Sequence, residues 1–461
     1  MKKEIRITPA RWIIAGVFLS AIIIGALLLM LPCATVAQGG LAPLTAFFTA
    51  TSATCVTGLS VIDIGCELTL FGQIIVLLLI QLGGLGIMTI GTFLLVMVGQ
   101  RLSLQNESLL MNTYGTDAVD RLGSLLRLTV GFTLFIEAIG TILLWRCYLT
   151  PPPEVAAQMG AHVGNPLYYA AFHSVSAFCN AGFSLHTNSL IDFQHNPLYL
   201  TTIALLIIAG GLGFLVLYNI ATIRFWDKNL KTCGRLTLHS RVVLITTAVL
   251  LIVGTALILM QEWDNTLHAI PQLTDKLSCA FFHSVTPRTA GFNCLPMTEI
   301  HGSTRFTTLI LMFIGGSPGS TAGGIKTSTL FVMLMTISAI CKGRNRTVIF
   351  QRAIPENVVR EALAIFLLSI ISILLAYGAL LYSERPRTPG EASNLYFETI
   401  SAFATVGLSI NCTTTLSNMG QFIIMICMFV GRLGPMTLAL LIGSRNVVER
   451  IRYPEETIVV G

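Results

Sequence analysis

The amino-acid sequence predicts an all-α integral membrane protein built from four parallel helix–loop–helix repeats in a pseudo-fourfold arrangement. Three observations predict this fold. Of the 461 residues, 54% are hydrophobic and 11% are charged, whereas soluble domains carry about 25% charged residues. Apolar stretches long enough to cross a bilayer, which takes ~20 residues, recur along the whole chain. Between them a short sequence that contains glycine recurs four times, about 115 residues apart.

Eight charge-poor stretches are expected to span the membrane, two in each repeat. The first follows a charged start that resembles a signal peptide. Its apolar run is longer than the roughly 7–15 residues of a signal sequence, so we expect a retained helix. The eight stretches lie at about 13–32, 70–98, 125–149, 199–223, 242–260, 305–340, 361–382 and 420–443.

The repeats divide the chain into four segments. The first repeat occupies 1–100 and the second occupies 101–235. The third, at 236–345, is expected to have its second span broken by an intramembrane loop at 315–327. The fourth repeat and the C-terminus occupy 346–461.

The distribution of Lys and Arg predicts the orientation of the chain. Of these 28 residues, 20 lie at the N-terminus or in the loops that follow the second span of each repeat. Both termini are therefore expected in the cytoplasm, and the four glycine-containing loops should enter the membrane from outside. No basic run is interleaved with aromatic residues, so the net charge of +6 does not indicate nucleic-acid binding.

The four glycine-containing loops align with one another. Each follows a half-helix too short to cross the membrane, and each has a Phe ten residues before its glycine. Irregular backbone at membrane depth is tolerated only where it is buried in protein or lines an aqueous cavity, so the loops should meet on one axis. Their sequences are SATCVTGLS at 52–60, SAFCNAGFS at 176–184, VTPRTAGFN at 285–293 and SAFATVGLS at 401–409, and the half-helices lie near 42–54, 166–178, 275–285 and 392–403.

Backbone carbonyls stacked on such an axis would replace the water around a cation. Glycine permits the backbone conformations that point consecutive carbonyls inward, and the negative C-terminal ends of the half-helices favour cations. A helix-ending glycine in a tight turn is the competing interpretation of any single loop, but four loops in register favour an ion filter. The candidate filter residues are Val56, Thr57, Gly58, Asn180, Ala181, Gly182, Thr289, Ala290, Gly291, Thr405, Val406 and Gly407.

A second set of small residues lies in the second helix of each repeat. The sequences GGLG, GGLG, GGSPG and GRLGP begin at positions 83, 210, 315 and 431, where small residues let helices pack closely or keep a cavity open. Arg432 stands where the other repeats have glycine. Since a charge at mid-membrane costs at least ~2.5 kcal/mol, we expect Arg432 to lie beneath the filter, hindering cations or pairing with a mobile element. The alternative is a structural ion pair with Glu137 or Glu398.

The stretch from 315 to 327 cannot remain a regular lipid-facing helix, because it is rich in Gly, Ser and Thr and contains Pro318. We expect a flexible loop in the cavity below the filter, which is a natural gate. Lys326, at its cytoplasmic end, either belongs to this gate or extends to the membrane surface. The candidate gate residues are Gly315, Gly316, Ser317, Gly319, Gly323, Gly324, Lys326 and Arg432.

Several polar residues near the loops have simpler interpretations. Arg288 is expected to point away from the axis, braced by a carboxylate, and His173 and His283 are expected to be structural, with no metal. Four acidic residues follow the filter glycines and either raise the local cation concentration or are solvated loop carboxylates; they are Asp63, Glu67, Asp192 and Glu299.

No enzymatic activity is expected. GGSPG fits the G-x-S-x-G hydrolase pattern, and GSTAGGIKT resembles a phosphate-binding loop. The first motif needs a preceding strand with a positioned His and acid, and the second needs a surrounding βαβ unit. An apolar helical run precedes both motifs here.

The chain resembles the Trk/Ktr/HKT superfamily of potassium transporters over about 13–445. The resemblance depends on the four loops and on VTPRTAGFN, GGSPGSTAGGIKTST and VGRLGPMT. It resembles the membrane subunit of a bacterial potassium-uptake system, of the Ktr type more than the Trk type, because the chain starts directly at the first repeat. Glycine in all four loops goes with potassium preference in this superfamily.

The resemblance implies potassium uptake across the bacterial cytoplasmic (inner) membrane, with potassium bound by backbone carbonyls of the filter and no covalent or organic cofactor. It also implies a gating role for the intramembrane loop, a homodimer surrounded by membrane lipids, and a cytoplasmic ring of regulatory subunits that bind ATP/ADP or NAD. Four parallel copies favour a static axial pore. The alternative is an ion-coupled secondary carrier, linked to sodium or protons, with alternating access.

Overall fold

The computed structural model describes residues 9–37, 39–86, 122–150, 165–222, 236–344 and 346–434. Several predicted features fall wholly or partly outside these ranges. They are the expected cytoplasmic termini, residues 87–98 of the second predicted span, residues 435–443 of the eighth, and the three repeat boundaries at 100/101, 235/236 and 345/346. Within them the chain forms helices and one short hairpin.

Each repeat has a first helix, a half-helix and a second helix. The first helices are α1 (Pro9–Leu29), α5 (Leu122–Tyr148), α9 (Leu238–Glu262) and α13 (Glu356–Glu384). The half-helices are α2 (Pro43–Thr54), α6 (Pro166–Phe178), α10 (Leu273–Val285) and α14 (Pro389–Phe403). The second helices are α4 (Leu70–Gly84), the pair α7 (Pro197–Leu212) and α8 (Phe214–Thr222), the pair α11 (Gly302–Phe313) and α12 (Thr327–Cys341), and α15 (Asn418–Leu433).

Small elements complete the described chain, and three of them are 3-10 helices at Pro32–Ala34, Ile191–Phe193 and Thr413–Thr415. Helix α3 (Ile64–Glu67) lies outside the first filter loop, with Asp63 as its N-cap. A hairpin of β1 (Val348–Ile349) and β2 (Arg352–Ala353) links α12 to α13. Its two turn residues, Phe350 and Gln351, have positive φ, as a tight two-residue hairpin turn requires.

Local sequence explains where the half-helices begin. Pro43, Pro166 and Pro389 occupy the first turn of three of them, where the missing N–H costs nothing and φ is already helical. Asn165 and Thr388 also cap backbone N–H groups. With 12 to 15 residues each and ~1.5 Å per residue, these helices are too short to cross a bilayer.

An apolar helix lies at each of the eight predicted spans. Among the residues that the structure describes, three helices are long and apolar enough to cross alone, namely Thr129–Tyr148, Leu238–Glu262 and Glu356–Glu384, and one bent pair joins Pro197–Leu212 to Phe214–Ala221. Shorter apolar helices are Ala15–Leu29, Leu70–Gly84, Thr327–Cys341 and Asn418–Leu433. Large apolar side chains such as Ile252 (70% exposed) and Leu375 (69% exposed) cover their outer faces, as expected of surfaces that contact lipid.

The second helix of the second repeat, expected as a span over 199–223, is broken into two helices. The chain bends by 98° between α7 and α8, at Gly213, whose φ is +81°. A residue in that conformation cannot continue a right-handed helix. The second helix of the third repeat is also interrupted, between Phe313 and Thr327, in the region where the sequence predicts a break.

The half-helices form the centre of the molecule. Of the four phenylalanines that align ten residues before the glycines, Phe48, Phe172 and Phe397 are buried. The fourth, Phe281, is partly buried against the hydrophobic core that contains Phe172. Burial on every side lets the four non-helical loops lie within the protein rather than against lipid.

Candidate functional site

The four filter loops close into a ring in chain order. Each filter glycine packs against the next loop: a Cβ added to Gly58 would lie 3.1 Å from the Cα of Gly182, and one added to Gly182 would lie 2.9 Å from that of Gly291. The series continues from Gly291 to Gly407 at 3.2 Å and returns from Gly407 to Gly58 at 3.0 Å. The same added atoms would collide with the carbonyl oxygens of Ala181, Ala290, Val406 and Thr57. No side chain fits at any of the four positions.

Backbone conformation alternates along each loop. All four glycines have positive φ, between +71° and +93°, and so do the residues two positions earlier: Val56 (+56°), Asn180 (+59°), Thr289 (+73°) and Thr405 (+51°). In an extended strand successive carbonyls point to opposite sides. Alternating left- and right-handed residues instead turn successive carbonyls toward the same side, which is the arrangement a carbonyl-lined filter needs.

The positive φ values at Val56, Thr289 and Thr405 are strained, because these residues are β-branched. Such strain persists only where the surrounding structure imposes it, and it concentrates at functional sites. The sequence does not predict this strain, because glycine is the residue type from which a positive φ is expected in these loops.

Hydrogen bonds from the half-helix ends hold the loops in place. Thr57, Ala181 and Val406 donate their N–H groups to the carbonyls of Ser52, Ser176 and Ser401. Ser52 and Ser401 also accept, through Oγ, from the N–H groups of Gly58 and Gly407 at 3.1 Å. In the other two loops the hydroxyl donates instead, from Ser176 to Phe183 O at 2.8 Å and from Thr286 to Phe292 O at 2.5 Å.

A cavity of about 510 Å³ lies above the ring, and all four filter glycines line it. Polar and apolar residues line the rest of it, and the polar ones include Ser60, Asn188, Asn293, Ser409 and Asn411. We call this cavity the vestibule. Since glycines from four quarters of the chain open onto one cavity, the loops share one axis.

Few charges face the vestibule. Of the four acidic residues named from the sequence, Asp63 is the one that lines it, and its carboxylate also caps α3 through the N–H groups of Gly65 and Cys66. His186 lines it too. Burial lowers the pKa of His186 well below its usual value, so this imidazole stays neutral near pH 7 and adds no positive charge above the ring.

The stretch 314–326, the intramembrane loop, lies directly beneath the filter. A Cβ on Gly323 would lie 3.0 Å from Ala404 O, beside the fourth filter loop. The base of the loop is closed by hydrogen bonds from Gly315 N to Ile325 O (2.9 Å) and from Thr327 N to Gly316 O (3.0 Å). The loop is therefore an ordered structure, anchored at both ends.

Neighbouring repeats hold the intramembrane loop from both sides. On one side Ser317 donates through N and Oγ to Gly211 O at 3.0 and 3.1 Å, and through Oγ also to Leu212 O. These carbonyls lie just before the bend at Gly213, and Gly319 O in turn accepts from Phe214 N at 3.3 Å. The break between α7 and α8 thus supplies the polar groups to which the loop binds.

On the other side Arg432 contacts the loop. Its guanidinium donates to Thr321 O in the loop and to Gly83 O in the second helix of the first repeat. The alternative of an ion pair with Glu137 or Glu398 is not what the structure contains. Glu137 accepts from Gln81, and Glu398 accepts from Ser409 and Thr413.

Lys326 also binds the loop itself. Its Nζ donates to Ala322 O at 2.7 Å, so the side chain folds back beneath the filter rather than extending to the membrane surface. Six other gate candidates lie in one loop with it, and the eighth, Arg432, reaches this loop from the fourth repeat.

Comparison with known proteins identifies the family. The model of the TrkH family, described as cation transport protein, matches residues 4–447. The chain belongs to the TrkH family of cation transport proteins. The expected resemblance and the expectation of a transporter rather than an enzyme are both confirmed.

Curated relatives in the family carry Ktr names. The chain is 39% identical to Ktr system potassium uptake protein B of Vibrio alginolyticus, over 96% of this chain and 93% of that protein. It is 36% identical to the protein of the same name from Bacillus subtilis, over 100% and 98%. It is 35% identical to the potassium/sodium uptake protein NtpJ of Enterococcus hirae, over 100% and 99%. The Ktr type is therefore the supported one.

A solved structure supports the fold. The crystal structure of the potassium transporter TrkH from Vibrio parahaemolyticus superposes with a TM-score of 0.73, covering 96% of this chain and 86% of that one. At 18% identity the likeness shows the fold alone. It confirms an all-α membrane protein.

One expectation at this TrkH-family site is wrong. Arg288 is buried as expected but is braced by a hydroxyl rather than a carboxylate: its guanidinium lies 3.4 Å from Thr247 Oγ1. Within the described ranges no carboxylate forms an ion pair with it. Thr247 lies on α9, the first helix of the same repeat. Nothing in the loop sequence identifies this threonine as the partner of Arg288.

The two half-helix histidines are held by protein groups. His173 Nδ1 lies 2.8 Å from Tyr169 O and 3.2 Å from Tyr148 Oη, and His283 Nε2 lies 3.3 Å from Thr308 Oγ1. Both are fully buried. This environment agrees with a structural role.

The glycines of the second helices are packing residues in part. Atoms added at Gly83, Gly210 and Gly431 would collide with the last carbonyls of the half-helices, at Thr54, Phe178 and Phe403. Gly211 is different, since its added Cβ meets only Asn180 Nδ2, at 3.5 Å. Gly83, Gly210 and Gly431 thus bring their helices against the ends of the half-helices, whereas Gly315 packs against Gly323 in the intramembrane loop. At the next position space remains at Gly211, while atoms added to Gly84 and Gly316 would collide with Cys179 Sγ and Ala322 Cβ.

Proposed function

We propose that this chain takes up potassium across the bacterial cytoplasmic membrane, by flow down the electrochemical gradient through the ring of filter loops. The observation that carries the proposal is the closure of the four glycines into one ring beneath one vestibule. Two relatives at more than 35% identity are named potassium uptake proteins. The potassium preference expected from four intact glycines agrees with those names.

The chemistry of passage is dehydration compensated by carbonyl oxygens. A cation that leaves the vestibule loses water, and the carbonyls of the twelve filter residues replace it. Half-helices that end at the ring direct their partial negative charge toward the cation. Because the carbonyls carry no full charge, the bound ion can also leave.

The intramembrane loop is the proposed gate. It lies beneath the filter and is held by Ser317 on one side and by Arg432 on the other. Opening would require these hydrogen bonds to break. The guanidinium of Arg432 would then have to leave the pathway or donate to other acceptors. A positive charge beneath the ring also hinders a cation directly.

Assembly and orientation are proposed from the same comparisons. The relatives are named as components of a Ktr system, which supports a regulatory partner, here a cytoplasmic ring of nucleotide-binding subunits (ATP/ADP or NAD) beneath a homodimer. The excess of Lys and Arg on one side supports cytoplasmic termini. The four repeats at 1–100, 101–235, 236–345 and 346–461 are proposed as the quarters of the pore.

The test is growth of a potassium-uptake-deficient bacterium at low external potassium. The wild-type chain, expressed with its regulatory partner, should restore growth, and Gly291→Ser should lose potassium selectivity or rescue, because a side chain at Gly291 meets Val406 O at 2.5 Å. The matched control is Gly378→Ser, since an added Cβ there contacts nothing within 4 Å. Rescue by Gly291→Ser with undiminished selectivity would count against the filter.

A second measurement separates the pore from the ion-coupled carrier. In proteoliposomes the pore should transport rubidium, a potassium analogue, on membrane potential alone, with no sodium present and equal pH on both sides. Uptake that stops under these conditions would support the coupled carrier instead.

A further inference from the structure

A second cavity lies on the opposite face of the molecule from the vestibule. It has a volume of about 610 Å³ and lies between the end of α12 and the start of α13, beside the hairpin β1–β2. The hairpin is held there by Thr347, whose Oγ1 lies 3.1 Å from Thr336 Oγ1 on α12. The cavity is thus a formed part of the fold rather than a gap between separate segments.

The polar part of this cavity is strongly basic. Arg344, Arg346 and Arg360 line it together with one carboxylate, Glu356. Glu356 already pairs with Arg360, at 3.5 Å. In the described part of the chain the guanidinium groups of Arg344 and Arg346 have no hydrogen-bond or ion-pair partner. Two forked donors without an acceptor suit a phosphate group, which arginine binds through two parallel hydrogen bonds.

The remaining wall is apolar and continuous with the outer surface of the helices. Ala339 and Ile340 of α12, together with Ile354 and Val359, line the cavity. Ile340 is 69% exposed, and the outward-facing side chains of α12 and α13 beside it, such as Ile337 and Leu363, are half exposed as well. A ligand that fills the cavity would therefore contact guanidinium groups at one end and a lipid-facing surface at the other.

We propose that this cavity binds the headgroup of an anionic phospholipid. Basic pockets beside membrane helices on the cytoplasmic side suit such headgroups, and the cavity lies at the arginine-rich end of two apolar helices. The unpaired guanidinium groups supply the charge complementarity. A free phosphate would use the same arginines but not the apolar wall.

The position of the cavity gives the lipid a mechanical consequence. Helix α12 begins at Thr327, directly after the intramembrane loop, and ends beside Arg344. A lipid held by Arg344 and Arg346 that also contacts Val359 in the cavity wall would join the end of α12 to α13. The lipid would then restrain the helix that follows the proposed gate. This consequence rests on the proposed function, whereas lipid binding does not.

The test measures lipid binding to the purified full-length chain by native mass spectrometry. Phosphatidylglycerol should bind and phosphatidylcholine should not compete. Each arginine near a membrane surface contributes about fivefold in affinity to anionic lipid, so Arg344→Gln/Arg346→Gln should weaken phosphatidylglycerol binding by about thirtyfold. The matched control is Arg385→Gln/Arg387→Gln, which removes two exposed arginines at the other end of α13 and should leave binding unchanged.

Several outcomes would overturn the proposal. The first is that Arg344→Gln/Arg346→Gln binds phosphatidylglycerol as tightly as the wild-type chain does. The second is that the wild-type chain binds phosphatidylglycerol and phosphatidylcholine equally. The third is that inorganic phosphate occupies the site as well as the lipid does, so that the acyl chains add nothing to the affinity. A dimer that buries this face and excludes lipid would also overturn it. Arg344→Lys/Arg346→Lys, which keeps the charge, provides the fallback if the glutamine variant does not fold, and it should retain more than half of the lipid. Loss of growth rescue with intact lipid binding would count against the proposed function alone.

Discussion

The filter ring and the layer beneath it differ in symmetry. In the ring all four quarters contribute the same element: a glycine with positive φ, preceded two positions earlier by a second residue with positive φ. In the layer beneath, the quarters differ, with a sharp bend at Gly213, an intramembrane loop at 314–326 and a buried cation at Arg432. In the proposed function, four equivalent sets of oxygens coordinate one ion in the ring. Opening and closing the proposed path beneath it requires no such equivalence, so the lower layer would be free to diverge.

The largest expected effect breaks the upper layer. Gly407→Ala should abolish potassium uptake, because Gly407 has a φ of +91° and an added Cβ would collide with Thr57 O. The measurement is rubidium uptake into proteoliposomes.

The lower layer supplies the matched control for this variant. Gly211→Ala places a Cβ 3.5 Å from Asn180 Nδ2, which is ordinary contact distance, and should keep at least half of the wild-type uptake. Equal behaviour of the two variants would contradict the distinction between the layers.

An intermediate effect is expected at Arg432. Arg432→Ala removes a cation beneath the filter and releases the intramembrane loop at Thr321 O, so rubidium flux without the regulatory partner should rise about tenfold, from roughly 1.4 kcal/mol of lost barrier. Arg432→Lys keeps the charge but cannot bridge Thr321 and Gly83 together, and should raise flux less. Unchanged flux in a well-folded Arg432→Ala protein would reject the barrier.

The smallest effect is expected at the hydroxyls that support the ring. Ser401→Ala removes the acceptor for Gly407 N–H, at 3.1 Å, and a single such hydrogen bond contributes about 1 kcal/mol. The expected result is a severalfold lower preference for potassium over sodium, measured from reversal potentials, with total flux nearly unchanged. Ser383→Ala, which changes a hydroxyl near the C-terminal end of α13, is the control.

Much of the fold could be predicted from the sequence, because membrane spans and half-helices depend on local composition and length. The half-helix at 166–178 has the bounds that its sequence indicates, since Asn165 caps it and Pro166 opens it. The bend at Gly213 was not predicted. GGLG occurs at 83–86 and at 210–213 alike, and the last glycines, Gly86 and Gly213, share a positive φ of +80° and +81°. No local pattern marks the carbonyls beside Gly213 as the acceptors for Ser317, more than 100 residues later.

The site was predictable in its residues more than in its contacts. The alignment of glycines identified the ring because each quarter repeats the same local requirement. The partners of Arg288 and Arg432 are a hydroxyl and two carbonyls. Backbone carbonyls are present at every position, so no sequence pattern marks the ones that a distant guanidinium will use. Strain at Val56 or Thr405 is likewise imposed by packing rather than by residue type.

The filter glycines contact one another around the ring, from each loop to the next along the chain and from the fourth back to the first. This is the head-to-tail geometry of a cyclic oligomer whose rotation closes after four steps, here achieved within one polypeptide. In a true homotetramer a substitution appears four times at once. In this chain each quarter mutates alone. A side chain such as Arg432 can therefore be introduced once, on one side of the axis, while the corresponding residues of the other three quarters stay unchanged.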